Sequence, residues 1–516
     1  MIDRTRREFL ADVGRGMLVA GVGATLATDL GLAPALADEA PGTLSFGAME
    51  PLVALMQDTP AAKLLPVLVE KMKGGTGLNT LVAAAALANA RSFGGQDYTG
   101  FHAFMALAPS FHMAAELPEE RRALPVLKVL FRNTNRIQEC GGRKKEVLHP
   151  VTAAADLPKD RNSGEVLRDA IRHLDVNGAE RTLAAMMKGP IGEAYNHLQY
   201  SIQDEIDVHR VVLAWRSWVM FDLAGKEQAG TLLRQSVRFC VDEERGNRRS
   251  GRVPEVRTVL PKLLDQYRLV SRPLGKRQAD DAWVEHLAGV IYASDRATAA
   301  DAAAAALAEG MAPEAVGEAI SLAANRLVLC DPGRKPNQVQ PGKPVGSVHG
   351  ASVGVHACDS ANAWRNIARV SNHRNTVASL IVGAFHTAGQ SAGQDKQPRP
   401  WAEQLEKVNT KDPEALLCDA ETAIKEKDQA RVCALVARYG ELGHAPRAVF
   451  DLLLKYGVSQ DGALHAEKYY RTVTEEFASS RPAFRWRQLV ALARVTASEY
   501  GFPAPGYEQA CQLLKV

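Results

Sequence analysis

The stretch Gln460-Asp461-Gly462-Ala463-Leu464-His465 decides the fold prediction, because two other parts of the chain repeat its pattern. Gln96-Asp97-Tyr98-Thr99-Gly100-Phe101-His102 and Gln203-Asp204-Glu205-Ile206-Asp207-Val208-His209 also join a Gln-Asp pair to a large apolar residue and a histidine. A fourth segment, residues 348–356, keeps an apolar residue before His349 and His356 but lacks the Gln-Asp pair. We interpret these segments as a degenerate internal repeat that delivers histidines from different helices.

Each histidine segment follows two helical patterns that are separated by a Gly- or Pro-containing break. In the first unit, apolar residues at helical spacing end at Gly74-Gly75, and an Ala-rich stretch then runs to Gly94-Gly95. No segment shows the alternation that is typical of strands. The sequence therefore predicts an all-α fold of about four degenerate helical units, packed around a central His-lined site.

The beginning of the chain resembles a bacterial twin-arginine export signal. Arg6-Arg7 is followed by Phe9-Leu10, a weakly apolar run and the cleavage pattern Ala35-Leu36-Ala37. This resemblance implies cleavage after residue 37, contact with the twin-arginine translocation machinery and a periplasmic or secreted location. The apolar run contains glycines and Asp29, so we expect no stable membrane span after cleavage. That export route carries folded proteins, often with a cofactor already inserted.

A polar segment rich in Gly, Gln and Pro, residues 389–400, divides the rest of the chain. We predict a helical domain with three repeat units at residues 38–388, a linker at residues 389–400, and a C-terminal helical unit at residues 401–516 that completes the fold.

Charge and cysteine content exclude some classes of protein. The net charge is only +3, with 23% charged residues, whereas a nucleic-acid-binding protein should present a basic face. We therefore expect no nucleic-acid partner. The seven cysteines include no C-x-x-C pair, which argues against a zinc ribbon. They are interpreted as buried structural cysteines, and one or two disulfides stay open for an oxidising compartment.

The repeated pattern carries both structural and chemical residues. Asp97, Asp204 and Asp461 are predicted as helix N-caps, which accept backbone N–H bonds. The histidines carry the functional hypothesis, because neutral imidazole is a common ligand of transition metals and packed helices can each contribute one ligand. The predicted metal ligands are a histidine from each unit and one carboxylate: His102, His209, His356, His465 and Glu205. His349 is the alternative to His356.

Such a ligand set suits Fe, Cu, Mn or Zn, and the identity of the metal stays open. The alternative for any single histidine is a packing role with a hydrogen bond to the backbone. Residues 345–386 form the densest polar stretch and are the candidate wall of an active site. Asp359 lies three residues beyond His356 and is expected to orient its ring. Within this stretch we predict catalytic roles for His349, Asp359 and His373 on a small-molecule substrate.

Two segments, Gly100-Phe101-His102-Ala103-Phe104-Met105-Ala106-Leu107 and Val348-His349-Gly350-Ala351-Ser352, resemble the His-bearing segments of questin-oxidase-like proteins. The resemblance implies a helical protein and an oxidative reaction, and it assigns no catalytic residue. The combined expectation is an exported His-rich metalloprotein, an oxidoreductase acting on a small organic substrate. Two alternatives stay open: a metal-independent hydrolase or lyase that uses His and Asp as acid and base, and a helical-repeat binding protein.

Overall fold

Helices form the regular structure of the part of the chain that the computed structural model describes, residues 42–350 and 352–516. Twenty-three α-helices and no β-strand occur in these residues. The prediction of an all-α fold is therefore confirmed, whereas the equivalence of the repeat units stays a prediction. Residues Leu44–Val516 pack into one unit. The predicted export signal, residues 1–37, lies outside the described residues.

Five helices surround the first histidine segment: α1 (Glu50–Asp58), α2 (Ala61–Lys73), α3 (Leu78–Phe93), α4 (Tyr98–Ala115) and α5 (Ala123–Glu139). Nearly every residue of α3 is buried, because its Ala-rich sequence lets neighbouring helices approach on all sides. Gly94 ends α3 in the left-handed conformation, with φ of 53°. Asp97 then caps α4 by accepting the Gly100 N–H at 2.7 Å, as predicted.

Six helices surround the second segment: α6 (Ser163–Arg172), α7 (Val176–Met186), α8 (Ile191–Ile202), α9 (Val208–Ala224), α10 (Ala229–Ser250) and α11 (Val256–Gln266). The prediction that Asp204 caps the histidine helix is wrong. Asp207 is the cap and accepts the Arg210 N–H at 3.0 Å. Asp204 lies in the turn after α8, where Arg172 and Arg257 both pair with its carboxylate.

Five helices carry the third part of the chain: α12 (Asp281–Ala293), α13 (Arg296–Ala308), α14 (Pro313–Leu329), α15 (Val353–Val370) and α16 (His373–Thr387). Ser352 caps α15 by accepting the Val355 N–H at 3.4 Å. Gly354 lets α15 approach α14 closely, since a Cβ added there would lie 2.6 Å from the Val328 nitrogen. This contact fixes the first turn of α15, which carries His356.

Seven helices complete the chain: α17 (Ala402–Leu405), α18 (Pro413–Lys425), α19 (Gln429–Glu441), α20 (Arg447–Ser459), α21 (His465–Ser479), α22 (Arg485–Glu499) and α23 (Tyr507–Leu514). Asp461 does not cap α21, so that prediction is also wrong. Ala463 and Leu464 have φ of 48° and 68°, and this left-handed turn carries the chain away from Asp461 before the helix begins. Asp461 instead accepts the Ala463 N–H at 3.0 Å and pairs with Arg132 at 2.6 Å.

The segment predicted as a linker, residues 389–400, is fixed to the end of α14. The Asp395 N–H donates to the Cys330 carbonyl at 2.7 Å, and the Arg399 N–H donates to the Leu329 carbonyl at 3.0 Å. The Arg399 guanidinium also pairs with the Asp395 carboxylate at 2.9 Å. These bonds place the segment against the body of the protein.

Two further expectations concern membranes and disulfides. Every helix in the described residues is too short or too polar to span a bilayer. All seven cysteines are free, so the disulfides that the sequence left open are absent from this structure.

Candidate functional site

Four histidine-bearing helices are arranged in a cycle. α4 packs against α9 and α21, and α15 packs against the same two helices. Each helix contributes a histidine from within its first five residues: His102, His209, His356 and His465. The N-terminal ends of the four helices therefore meet where these side chains lie.

The four imidazole rings lie close together in the same cyclic order as their helices. The ring centres are 4.7 Å apart for His102 and His209, and 5.6 Å apart for His209 and His356. The remaining two neighbours are 5.3 Å apart for His356 and His465, and 5.0 Å apart for His465 and His102. Four imidazoles that share one ion through metal–nitrogen bonds of roughly 2 Å would have neighbouring ring centres about 5 Å apart.

Hydrogen bonds at Nδ1 define the tautomer of three rings. His102 Nδ1 lies 2.7 Å from the Tyr98 carbonyl, and His465 Nδ1 lies 3.1 Å from the Ala463 carbonyl. A carbonyl only accepts, so both Nδ1 atoms must carry the proton. His209 Nδ1 lies 3.3 Å from an Asp207 carboxylate oxygen, which also only accepts when ionised. In the neutral rings, Nε2 is therefore the atom with the free lone pair.

These Nε2 atoms are poorly satisfied by the protein. Nε2 of His102 and Nε2 of His209 are buried and have no hydrogen-bond partner. Nε2 of His356 and Nε2 of His465 are 3.2 Å apart. Two ligand nitrogens on one tetrahedral ion are about 3.3 Å apart, so this separation matches a shared ion as well as it matches a hydrogen bond.

The ring orientations are not yet those of a coordination sphere. Within residues 42–350 and 352–516, no group of three or more His, Cys, Asp or Glu side chains has its ligand atoms set for a metal ion. The ring centres already have the separations that a shared ion needs.

The sequence also proposed Glu205 as a ligand on the helix face of His209, and that placement is wrong. α9 begins only at Val208, so the two residues do not share a helix. The Glu205 carboxylate accepts hydrogen bonds from Arg252 at 2.9 Å and from Asn247 at 3.0 Å. Its described contacts therefore lie outside the four rings.

The candidate catalytic residues fall in three different places. His349 lies beside the cluster, with its ring centre 6.1 Å from that of His465 and its Nε2 3.5 Å from Glu499. Asp359 is buried and accepts the Thr472 hydroxyl at 2.7 Å, so the predicted bond to the His356 ring is replaced by this one.

His373 is the third candidate catalytic residue, and the structure does not bring it to the rings by any described contact. It is the first residue of α16, and its Nε2 donates to the Leu269 carbonyl at 3.0 Å. This bond fixes the start of α16 to the chain that follows α11.

Gly350 holds the start of α21 in place. Its N–H donates to the Glu499 carboxylate at 2.8 Å. A Cβ added to Gly350 would lie only 2.2 Å from the His465 Cβ. The backbone at residue 350 therefore touches the His465 side chain, and only glycine permits this approach.

An aromatic wall connects the cluster to the surface. The Tyr98 ring centre is 4.3 Å from that of His102, and the Phe101 ring centre is 5.1 Å from that of His209. Tyr98 is 59% exposed, and Val353, one turn before His356, is 48% exposed. His209 and His356 are themselves partly exposed, whereas His102 and His465 are buried.

Burial keeps His102, His356 and His465 neutral. Burial and the nearby Lys468 ammonium lower the pKa of His102 and His465 far below 6.5, and lower that of His356 to about 3. Burial alone would raise the pKa of Asp207, but its bonds to His209 and to the Arg210 N–H lower it to about 2. The site thus combines neutral imidazoles at His102, His356 and His465 with the Asp207 carboxylate, whose lowered pKa keeps it ionised.

These pKa shifts predict a fold that loses stability in acid. The histidines of an unfolded chain titrate near pH 6.5. In the folded state, burial is the main cause that lowers the pKa to about 3 for His349 and to about 4 for His112 and His386. Unfolding therefore takes up protons as the pH falls below 6.5, and the histidine contribution to stability is lost progressively between pH 6.5 and the folded-state pKa values of about 3 to 4. Burial raises the pKa of Glu499 to about 7 and that of Glu243 to about 8. These two carboxyl groups stabilise the fold as the pH falls, but they are fewer than the histidines whose pKa is lowered.

We expect the free energy of unfolding, measured in urea, to fall by roughly 2 kcal/mol or more between pH 6.5 and 4.5. His112→Gln should reduce the pH slope by about one proton, because burial lowers the pKa of this histidine to about 4 and it lies outside the four rings. A stability that rises on acidification would contradict the assignment of neutral histidines.

Residues that the sequence did not single out complete the site. Lys468 is fully buried one turn after His465, and its charge acts on three of the rings. Asp207 and Tyr98 were quoted only as parts of the repeated pattern. The i, i+3 spacing of His465 and Lys468 was the available signal, since it places both on one face of α21.

Comparison with known proteins adds no assignment: no protein-family model, no curated protein and no solved structure matches the chain.

Proposed function

We propose that the protein is an exported metalloprotein in which His102, His209, His356 and His465 hold one transition-metal ion, and that it acts as an oxidoreductase on a small organic substrate. The observation that carries the proposal is the pair of buried, unpartnered Nε2 atoms on His102 and His209. Their Nδ1 atoms are already held by a carbonyl and a carboxylate, which is the usual arrangement behind metal-binding histidines.

A purely structural role explains this cluster less well. Burying a polar atom without a partner costs about 1–3 kcal/mol, and His102 and His209 each bury one. Leu or Phe would fill the same space without that cost. One ion bound by the four Nε2 atoms would satisfy all of them together.

The donor set favours particular metals. All four donors are neutral nitrogens in cyclic order, and the Glu205 carboxylate is bound elsewhere. Imidazole sites suit Cu, Fe, Ni and Zn, while Mn and Mg prefer oxygen ligands. Because the proposed activity is a redox reaction, copper or iron is the metal we propose. When bound, such an ion supplies electron transfer or dioxygen activation. The exposed Tyr98 ring, which lies against His102, provides an apolar surface for an organic substrate beside it.

The export proposal rests on Arg6-Arg7, Phe9-Leu10 and Ala35-Leu36-Ala37, which lie outside the described residues. A route that carries folded proteins suits a metal site that needs helices from the whole chain. The proposed location is periplasmic or secreted, and the proposed partner for export is the twin-arginine machinery.

Metal analysis of protein purified after export tests the proposal. We expect about one atom of copper or iron per chain in the wild type, and a loss of at least about tenfold in His102→Ala and in His465→Ala. The matched control is His173→Ala, since this exposed histidine only contacts the Asp169 carbonyl. A wild-type metal content far below one atom, or an equal loss in the control, would count against the site. Circular dichroism on each variant distinguishes metal loss from unfolding.

A metal-independent acid–base enzyme is the second candidate, and one observation favours it. Burial lowers the pKa of Lys468 to about 8 and raises the pKa of Asp359, beside neutral histidines. An ammonium whose pKa is lowered and a carboxyl group whose pKa is raised suit the acid and base of a hydrolase or lyase. Activity that survives complete removal of metal by a chelator would favour this candidate over the metalloprotein.

A further inference from the structure

A groove lies between the third part of the chain and the C-terminal helices. Its cavity volume is about 390 Å³, and small-molecule pockets typically enclose roughly 300–1,000 Å³. None of the four clustered histidines lines it. Arg487, in the groove, and Glu499, beside His349, are about 18 Å apart along α22 at 1.5 Å per residue. The groove is therefore a separate candidate site.

Two helix faces form the opposing walls of this groove. α12 and α14 each line it with residues at helical i, i+3 and i+4 spacing: Glu285, Ala288 and Gly289 from α12, and Leu322, Asn325, Arg326 and Leu329 from α14. Leu405 and Ala437 extend the apolar surface. A Cβ added to Gly289 would meet no atom within 4 Å, so the α12 side of the groove has open space.

Hydrogen bonds hold the walls of the groove in place. The Asn325 side-chain amide donates to the Arg487 carbonyl at 3.2 Å and to Gln488 Oε1 at 3.1 Å, which joins α14 to the start of α22. The Arg399 N–H donates to the Leu329 carbonyl at 3.0 Å and fixes the third wall, the end of the segment 389–400. The groove is therefore formed before any ligand binds.

Four of the five charged residues that line the groove form ion pairs. The pairs are Arg487 with Glu285 at 2.7 Å, Arg399 with Asp395 at 2.9 Å, and Glu441 with Arg438 at 2.9 Å. The fifth charged residue is Arg326, and no described residue forms an ion pair with its guanidinium. One positive charge in the groove is therefore left without a counter-ion.

The Arg326 side chain is held by stacking rather than by hydrogen bonds. Its Cζ lies 4.4 Å from the centre of the Tyr292 ring, which follows Gly289 by three residues on the same helix. Its Nε is buried and has no hydrogen-bond partner. A guanidinium carries its N–H donors in its own plane, so stacking on a ring leaves them available. Arg326 thus presents unused donors and one charge beside an apolar surface.

We propose that this groove binds an organic monocarboxylate with an apolar body. The carboxylate accepts charge-assisted hydrogen bonds from the Arg326 guanidinium, whose fork of donors matches its two oxygens. The apolar body lies against Leu322, Leu329 and Leu405. A single unpaired guanidinium favours a monoanion. This site needs no metal and stands independently of the proposed function.

Isothermal titration calorimetry of the full-length protein with sodium octanoate and, separately, octan-1-ol tests the proposal. The two probes share an apolar chain and differ in charge, so the wild type should bind octanoate at least about tenfold more tightly. Arg326→Met should weaken octanoate binding by about ten- to a hundredfold and change octanol binding by less than about twofold. Arg326→Lys keeps the charge without the fork and should give an intermediate octanoate affinity.

Two further variants separate recognition from general damage. Arg161→Met is the control, since this exposed arginine pairs with Asp169 outside the groove, and it should leave both affinities unchanged. Gly289→Leu places a side chain in the open space and should weaken octanoate and octanol alike by about tenfold or more. Circular dichroism checks that each variant is folded.

Three results would overturn the carboxylate site. The first is a wild type that binds no octanoate at millimolar concentration, and the second is an equal loss of octanoate and octanol affinity in Arg326→Met. The third is displacement of octanoate by sodium phosphate at equal concentration, which would show that the groove recognises charge without an apolar body. Unchanged affinities in Gly289→Leu would likewise exclude this groove as the place where octanoate binds.

Discussion

Gly350→Ala should displace His465 and lower both metal content and stability. The new Cβ would lie 2.2 Å from the His465 Cβ, and 3.3 Å from an oxygen of Glu499, so neither side has room for it. Because α21 starts at His465, the contact can be relieved only by moving the first turn of that helix or the backbone at residue 350. Overpacking of this kind costs roughly 1–3 kcal/mol.

The measurements are the urea midpoint and the metal content of the exported protein. Gly289→Ala is the matched control, since Gly289 lies in α12 and a Cβ there meets no atom within 4 Å. Alanine is favoured over glycine inside a helix by about 1 kcal/mol, so the control should be neutral or slightly more stable. A Gly350→Ala protein with wild-type midpoint and metal content would show that the backbone at residue 350 does not position His465.

Lys128→Met should destabilise the protein more than Gly350→Ala does. Lys128 Nζ lies 2.8 Å from the Glu467 carboxylate, and the two side chains are 2% and 0% exposed. Removal of one partner leaves a buried, uncompensated charge, which costs about 3–5 kcal/mol. The ammonium also binds the carbonyls of Gly457 and Gln460, so the end of α20 and the turn before His465 lose their anchor as well.

Chemical denaturation gives the free energies for this comparison. Lys73→Met is the control, because Lys73 pairs with Glu70 at the surface with side-chain exposures of 64% and 70%, and such pairs contribute about 0–1 kcal/mol. The double variant Lys128→Met/Glu467→Leu should recover part of the loss, since it leaves no unpaired charge. If Lys128→Met costs no more than Lys73→Met, the buried pair does not stabilise this region.

Helical periodicity was sufficient to predict the all-α fold and the helices of the first unit. α3 ends at the predicted Gly94 and α4 starts directly after Asp97, because glycine punctuation and a capping carboxylate act locally. The same reasoning from local sequence wrongly predicted Asp204 and Asp461 as helix N-caps. There, arginines that are distant in sequence take the carboxylates, and a left-handed turn precedes α21.

Less of the site than of the fold could be predicted from the sequence. The repeat named the four histidines whose rings lie together, but it also named Glu205, because it assumed a helix start three residues too early. Lys468 was missed because Glu467-Lys468 resembles the exposed face of a helix. Both residues are nevertheless buried, and Glu467 pairs with Lys128, which is distant in the sequence.

The cyclic order of α4, α9, α15 and α21 has a consequence for how the protein matures. Even His356 and His465, whose Nε2 atoms are 3.2 Å apart, are separated by 109 residues, and α4 and α21 come from opposite ends of the folded chain. Such contacts have high contact order and close long loops, so they form late in folding. A nascent chain that ends before α21 holds at most three of the four rings, so the complete cluster can form only after synthesis has passed His465.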